Sequence, residues 1–543
     1  MLNRDRNKAK LGTGDFELLI IGGGATGAGI ALDAASRGIK TALVEKGDFA
    51  SGTSSKSTKL IHGGLRYLKQ LDINLVRESG TERAVVNKIA AHLCLPEKML
   101  LPLVKGGTYG KWSSSLGLFV YDFLAGVGAD DKRKMLNKKQ TLKKEPLLDS
   151  DRVLGGGYYA EYRTDDARLT IELIKKAASY GAVPVNYCKM TDFIHDDQAI
   201  VGVVIEDVIT GDRINVTASR VVSAAGPWVD HIRAKNQSLN HKKLHLTKGV
   251  HLVFPRDKFP IKQSIYFDEP GGRMLFAIPR GRVTYLGTTD TTYTGDMDRI
   301  VSTVADRDYL LAGANGAFPE LKLTADDVIS NWMGLRPLIH EEGKSTSEIS
   351  RKDEIFVADD GLISIAGGKL TGYRKMAERV VDLVIDKDDL QLDQKDAFTD
   401  EISLGGEQAM SNKEVKKYIQ NLSDRISAMG LDPYYSWYLV TNYGKQAELI
   451  IANLSQPATE IELAQEEIRF NIAHEMVTRA SDYFVRRTGR LYFDIKSIDA
   501  IRQPVMDVMT QELQWDDERL KQENAILDRL IIDATTYYDQ EMN

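Results

Sequence analysis

Residues 56–68 read KSTKLIHGGLRYL. Two lysines, a histidine and an arginine crowd around Gly63 and Gly64, and that glycine pair weakens any helix the Leu and Ile positions would support. So much positive charge with so little bulk fits a solvated loop, or a segment where backbone approaches a ligand while cations face an anion. A second pattern is more specific. Residues 15–46 read DFELLIIGGGATGAGIALDAASRGIKTALVEK, in which Gly22, Gly24 and Gly27 satisfy G-x-G-x-x-G and Glu45 follows about 20 positions later. Gly22 permits a tight turn, Gly24 admits a pyrophosphate, and Gly27 lets helix and strand pack closely. The N–H groups of the helix start, at Ala25 and Thr26, favour phosphate charge, and Glu45 suits ribose hydroxyls.

The elements that must position these residues are legible around them. An apolar strand at 18–21, a helix at 25–37 stopped by Gly38, and a strand at 41–44 complete a β-α-β unit. The motif alone does not separate FAD from NAD. Two later segments, RVVSAAGPWVD (220–230) and GLISIAGGKLTGYRKMAERVVDLV (361–384), read as further strands of one sheet. Their carboxyl ends open on small residues, where α/β sheets place ligands. A helix starting near Thr371 would direct its positive end into that crevice. No second G-x-G-x-x-G occurs, which argues against a nicotinamide partner bound by a separate Rossmann domain.

The chain of 543 residues, 43% hydrophobic and 27% charged, allows two to four domains with a substantial core. A net charge of −6 argues against a general nucleic-acid binder. The two cysteines, Cys94 and Cys188, lack metal or redox spacing and suit free thiols in a reducing cytoplasm. No resident metal is expected. The N-terminus lacks the apolar core of a signal peptide, and no window supplies the ~18 apolar residues of a membrane span. The expected location is cytoplasmic, or attached to the inner face of the cell membrane without crossing it.

GTSSKSTKLIHGGLRYL, NWMGLRPL and AGGKLTGYRKMAE, with KGVHLVFP, YLGTTDTTYTGD and ASDYFVRRTGRLYF, together resemble the FAD-dependent glycerol-3-phosphate dehydrogenases of respiring bacteria and mitochondria. The resemblance runs from about residue 15 to the end. It implies an α/β, glutathione-reductase-like FAD-binding Rossmann fold of the amino-acid-oxidase type. The FAD-binding domain would be discontinuous (1–95, 150–235 and 335–388). An antiparallel substrate cap would fill 96–149 and 236–334, and a separate helical domain 389–543. FAD contacts are expected at Gly22, Gly24, Ala25, Thr26, Gly27 and Glu45; at Thr53, Ser54, Ser55, Lys59, His62, Gly63 and Gly64; and at Ala225, Gly226, Gly368, Lys369, Leu370 and Thr371.

The implied reaction takes a hydride from C2 of sn-glycerol 3-phosphate to FAD and a proton from its hydroxyl, giving dihydroxyacetone phosphate. The resemblance brings Arg66, Tyr67, Arg336, Arg351 and Lys369 together around the phosphate and the developing alkoxide, as substrate-binding residues. Arg66 offers a bidentate fork. Arg336 hardly deprotonates, so its catalytic role would be electrostatic. His62 and His251 are the two candidates for the base; His251 taken alone also reads as a core histidine. Asp290 would orient a partner or cap a turn. Electrons would pass to a quinone, menaquinone or ubiquinone, which requires a membrane-facing surface. Trp112, Leu116, Phe119, Phe123 and Val127 recur at helical spacing between basic ends, which suits such a surface and equally a buried cap helix. Homodimerisation stays open. The runner-up is an α-glycerophosphate oxidase that passes electrons to oxygen and forms peroxide. Those oxidases typically carry a long insertion after G-L-R-P-L, where this chain has only IHEEGKSTSEISRKDE before the next strand. An amino-acid oxidase or a non-catalytic flavin-binding regulator explains the cation set less well.

Overall fold

The computed structural model describes residues 2–61, 73–108, 133–269, 271–341, 352–388 and 390–541. The strand Phe16–Ile21 (FELLII) lies between Thr41–Val44 and Arg213–Ser223, parallel to both. A strand flanked on both edges and covered on both faces must be apolar throughout; Leu18, Leu19 and Ile20 are fully buried. Among the described residues this sheet has eight strands. Its parallel centre runs Ile363–Ala366, Arg213–Ser223, Phe16–Ile21, Thr41–Val44, Val183–Val185, and Glu354–Val357 adds an antiparallel edge. The helix Ala25–Ser36 follows the glycine turn and ends with Arg37 as its C-cap, then Gly38 at φ +94°. It packs against Tyr373–Asp388, because a side chain at Gly29 would come within 3.0 Å of the Tyr373 ring.

The second sheet has ten strands among the described residues. Its longest ladder pairs Lys242–Pro255 with Ser330–Glu341, setting Thr247 opposite Arg336 and His251 opposite Trp332. Three boundaries drawn from sequence differ. Leu60–Ile61 and Val153–Arg163 fall in segments assigned to the FAD-binding part, yet both hydrogen-bond into the second sheet beside Leu95–Val104. Residues 335–341 likewise complete the ladder with Lys242–Pro255. Strands from both parts read alike when apolar, and only pairing separates them.

From 390 onward the described residues form helices and turns, with one isolated bridge between Tyr538 and Thr303. These helices share their core with the second sheet. Ile468, Phe484, Val505 and Met506 pack in one cluster with Leu60, Tyr159, Ile278 and Trp332. They are also tied to the first sheet by buried charge. Asp48, three residues past Glu45, accepts from Arg486 Nε (2.5 Å) and from Arg487 Nη1 (2.7 Å) and Nη2 (3.0 Å), with Asn186 Nδ2 at 3.1 Å. Burial alone would raise the Asp48 pKa; Arg487 and Arg486 outweigh it and hold the carboxyl below its usual range. Both arginines sit on a π-helical turn, Asp482–Arg487. Arg168 of Asp166–Ser179 completes the junction through Glu475, at 2.6 and 2.7 Å.

Asp48→Asn removes the carboxylate that two buried guanidiniums share, leaving Arg486 with Asp482 at 2.7 Å and Arg487 with Glu475 no nearer than 3.6 Å. Breaking a buried pair by removing one partner costs about 3–5 kcal/mol, so the thermal unfolding midpoint should fall clearly below that of the unaltered chain. An unchanged midpoint would show that the helical part is held by packing alone.

Candidate functional site

One cavity of about 820 Å³ is lined from both sheets, within the range of small-molecule and cofactor sites. On the first-sheet side the wall is the glycine turn. Gly22 N donates to Val44 O at 2.8 Å. A side chain at Gly22 would lie 2.5 Å from Ala224 O, and one at Gly27 only 1.9 Å from Gly22 O. Helix and strand therefore meet backbone to backbone, and the first helical residues, Ala25 and Thr26, line the cavity. The Ala25 N–H donates to Ser54 Oγ at 2.9 Å, so the turn Thr53–Ser55 is docked onto the helix start. Thr53 Oγ1 in turn donates to Leu335 O at 2.7 Å, joining that turn to the cap strand.

Glu45 is fixed by two backbone donors, Gly23 N–H at 2.7 Å and Gly47 N–H at 2.8 Å. Burial raises its pKa, against the lowering effect of those two hydrogen bonds. It meets the cavity with acceptor capacity to spare. Nearby, Lys46 pairs with Asp298 at 2.5 Å and lies 3.9 Å above the Trp228 ring. That contact joins the glycine-turn side to a loop of the cap.

On the cap side stands Arg336. Its Nη1 donates to Thr289 O (3.1 Å), its Nη2 to Thr288 Oγ1 (3.0 Å), and Asp290 lies 3.6 Å away. A side chain at Gly249 would sit 2.4 Å from Nη2, so the bare backbone of the partner strand makes the guanidinium's seat. His251 is placed the same way: a side chain at Gly287 would overlap its ring at 2.1 Å. Its imidazole stacks on Trp332 at 4.5 Å and 9°, and Nε2 shares a hydrogen bond with Thr58 Oγ1 at 2.9 Å. Nδ1 is buried without a partner among the described residues. Burial, reinforced by the charges of Arg336 and Lys59, holds the His251 pKa well below the usual range. Its neutral form is therefore secure and proton uptake is costly.

The cavity wall gathers Gly22, Gly24, Ala25, Thr26, Glu45, Thr53, Ser54, Ala225, Gly226, His251, Arg336, Gly368, Lys369, Leu370 and Thr371. Three residues expected on the cofactor stand off the wall. Gly27 is spent on helix–strand contact. Ser55 is buried, its hydroxyl donating to Gly52 O at 3.5 Å. The Lys59 ammonium turns inward to Asp166 (2.5 Å) and Ser55 O (3.2 Å), because an enclosed lysine needs a carboxylate. His62, Gly63, Gly64, Arg66, Tyr67 and Arg351, and the stretch 112–127, lie outside the described residues.

Comparison with known proteins decides the family. The family described as FAD dependent oxidoreductase matches residues 17–374, and that described as C-terminal domain of alpha-glycerophosphate oxidase matches 397–520. An aerobic glycerol-3-phosphate dehydrogenase of Bacillus subtilis is 48% identical across 99% of both chains. The chain belongs to the FAD-dependent glycerol-3-phosphate dehydrogenase family. A glycerol-3-phosphate dehydrogenase from Bacillus halodurans, solved in complex with FAD, is 42% identical over 99% of this chain and 98% of its own, with a TM-score of 0.84. The L-alpha-glycerophosphate oxidase of Mycoplasma pneumoniae shares the fold, at 17% identity and a TM-score of 0.57 over 72% of this chain and 99% of its own.

FAD is thus the cofactor of this dehydrogenase family member, and the residues present fit it. The backbone at Gly22 and Gly27 leaves no room for a side chain, Ala25 and Thr26 of the helix start line the cavity, and Glu45 stands on the same wall. The sequence reading did not single out Lys46, Trp228, Thr58, Trp332 or the Asp48 clamp. The clamp had one signal, the adjacent Arg486 and Arg487 inside the apolar run DYFVRR, since charge in such a run is normally paired. The others have none, because each depends on a contact with a remote segment.

Gly27→Ala should give folded protein without flavin, because its methyl would strike Gly22 O at 1.9 Å; the visible-to-ultraviolet absorbance ratio of the purified protein reads this directly. A second expectation concerns pH. With its folded pKa held below the unfolded value of ~6.5, His251 contributes stability that is fully present above that pH and lost as pH falls below it. Unfolding free energies from denaturant titrations at decreasing pH should fall by less in His251→Asn, by up to ~1.4 kcal/mol per pH unit. Equal slopes would mean that His251 takes up its proton in the folded state.

Proposed function

We propose that this cavity oxidises sn-glycerol 3-phosphate to dihydroxyacetone phosphate and passes the electrons to a membrane quinone. The observation that carries the reading is Arg336: a cation propped on Thr288 and Thr289 faces the cavity that also holds the dinucleotide cradle. FAD, when bound, supplies the two-electron acceptor for C2 of the substrate. The chain must bind a dianionic phosphate, orient C2 and help the hydroxyl proton leave. Arg336 and Lys369 line the cavity and carry charge of the right sign for the phosphate or a developing alkoxide. Arg66, Tyr67 and Arg351 would complete that set. For the proton, His251 suits a positioning role through Thr58, since its charged form is costly; His62 is then the stronger candidate base.

The parent relatives are named as dehydrogenases, which supports a quinone acceptor, menaquinone or ubiquinone. No helix among the described residues is long and apolar enough to cross a membrane, so the proposed contact is peripheral, through 112–127, at the inner face of the cell membrane. The eight-stranded sheet would carry FAD, the ten-stranded sheet the substrate, and a homodimer is compatible with both. A second reading, oxygen as acceptor with release of peroxide, draws on the match of 397–520 to the alpha-glycerophosphate oxidase C-terminal domain.

Anaerobic mixing with glycerol 3-phosphate should bleach the flavin absorbance; a flavin that stays oxidised would remove the substrate assignment. Under air, a soluble quinone analogue should sustain turnover with little peroxide, and peroxide equal to substrate consumed would favour the oxidase reading. Arg336→Lys should lower kcat/KM roughly tenfold or more, the worth of a charged hydrogen bond, with FAD content unchanged. Unaltered kinetics would take Arg336 out of the site.

A further inference from the structure

Apart from belonging to the cations of residues 56–68 that could face an anion, Lys56 has no role assigned so far, although it lines the cavity. It directly follows the turn Thr53–Ser55, with its own N–H donating to Thr53 O at 3.0 Å. Ser54 of that turn is bonded to the first N–H of the helix Ala25–Ser36 and would touch a side chain at Gly24 at 3.0 Å. Lys56 therefore springs from the segment docked on the helix start where a dinucleotide's diphosphate is held. Its backbone is pinned from the other side as well. A side chain at Gly334 would lie 2.6 Å from Lys56 Cβ and 2.7 Å from Lys56 O, so the segment is gripped between the helix and the cap ladder.

The charge balance around it is uneven. Three cations nearby have carboxylates: Lys46 has Asp298, Lys59 has Asp166, and Arg336 has Asp290 at 3.6 Å. Lys56 has no carboxylate at ion-pair distance among the described residues. The charged groups facing it are Arg486, Asp298 and Lys46. Burial first, then Arg486 and Lys46, lower its pKa to about 8, with Asp298 opposing. A half-enclosed ammonium repelled by two neighbours is poorly placed in an empty cavity and well placed beside an anion. The helix terminus supplies only about half a unit of positive charge, against the two formal charges of a diphosphate.

We propose that Lys56 is the counter-charge of the FAD diphosphate, and that its protonation links retention of FAD to pH. Neutralising Lys56 by FAD raises its pKa in the complex. Affinity is then complete below the free-protein value of about 8 and declines as pH rises from there toward the bound-state value.

The test is the FAD dissociation constant of the holoenzyme, followed by the rise of free-flavin fluorescence on dilution between about pH 7 and about pH 9.5, a span that brackets the expected transition. Wild-type protein should bind FAD more weakly as pH rises, by up to about tenfold per pH unit. K56M should bind roughly tenfold or more weakly at the lower pH and show no slope. K56R, charged throughout, should keep wild-type affinity and also show no slope. Unchanged affinity in K56M, a slope that survives in K56M, or a K56R variant as weak as K56M would each overturn the proposal. If K56M does not fold, K56R decides alone, because a slope persisting there assigns the titration to another group. Wild-type holoenzyme carrying FAD at the lower pH separates any of these results from a failure of the cofactor assignment itself.

Discussion

The buried clamp between Asp48 and the paired Arg486 and Arg487 is the constraint on which the site's geometry rests. Asp48 sits in the loop that begins at Glu45 and ends at the turn Thr53–Ser55. Both ends of that loop face the cavity. The arginines come from the helical part more than 430 positions later, at hydrogen-bond separations of 438 and 439 residues. Two guanidiniums sharing Asp48, one of them also held by Asp482 at 2.7 Å, are tolerable in a dry junction only in full mutual satisfaction. Asn186 and the Glu475 carbonyl, which accepts from Arg487 Nη2 at 2.8 Å, complete it. The helical region is thus a brace on the cofactor loop, and its shared core with the second sheet makes it inseparable from the cap.

The same logic of charge distinguishes structural cations from available ones. Lys59 and Arg168 are enclosed and paired: Asp166 and Glu172 of the helix Asp166–Ser179 supply one carboxylate to each, and Glu475 of the helix Glu460–Glu475 supplies Arg168 with a second. Arg336 is half-buried, and backbone and hydroxyl oxygens at Thr288 and Thr289 hold it. These oxygens orient a guanidinium without cancelling its charge, whereas a close bidentate carboxylate would. The 3.6 Å approach of Asp290 leaves that charge able to act on an incoming anion.

The β-α-β unit was legible in full because every part of it is local. The apolar strand, the glycine turn, the helix to Ser36 and the acidic residue all lie within 32 positions, and hydrophobic period and glycine placement specify them together. The helix near Thr371 was equally local, and it forms as Tyr373–Asp388 after a short turn at Leu370–Gly372. The position of the Lys59 ammonium was not legible, for the opposite reason. A lysine in a polar run carries no mark of where its ammonium will go, and its partner Asp166 lies 107 positions on. That Leu60–Ile61 and Val153–Arg163 pair into the second sheet was not legible either, because an apolar strand does not announce its neighbour.

The cap ladder shows how such nonlocal information is nevertheless written into the chain. In an antiparallel pair, side chains on one face alternate with those on the other, so a slip of one residue would carry every one of them away from the cavity. The register that sets Gly249 against Gly334, Thr247 against Arg336 and His251 against Trp332 places a small residue wherever a functional group needs room. Gly249 seats the Arg336 guanidinium, Gly287 on the adjoining strand seats the His251 ring, and Gly334 admits the backbone at Lys56. A Cβ at Gly249, Gly287 or Gly334 would lie 2.4, 2.1 or 2.6 Å from the group that fills its space. The glycines of KGVHL, YLGTT and NWMGLR therefore do in the cap what those of the fingerprint do at the helix start: they fix, by the space they leave, which alignment of distant segments is allowed.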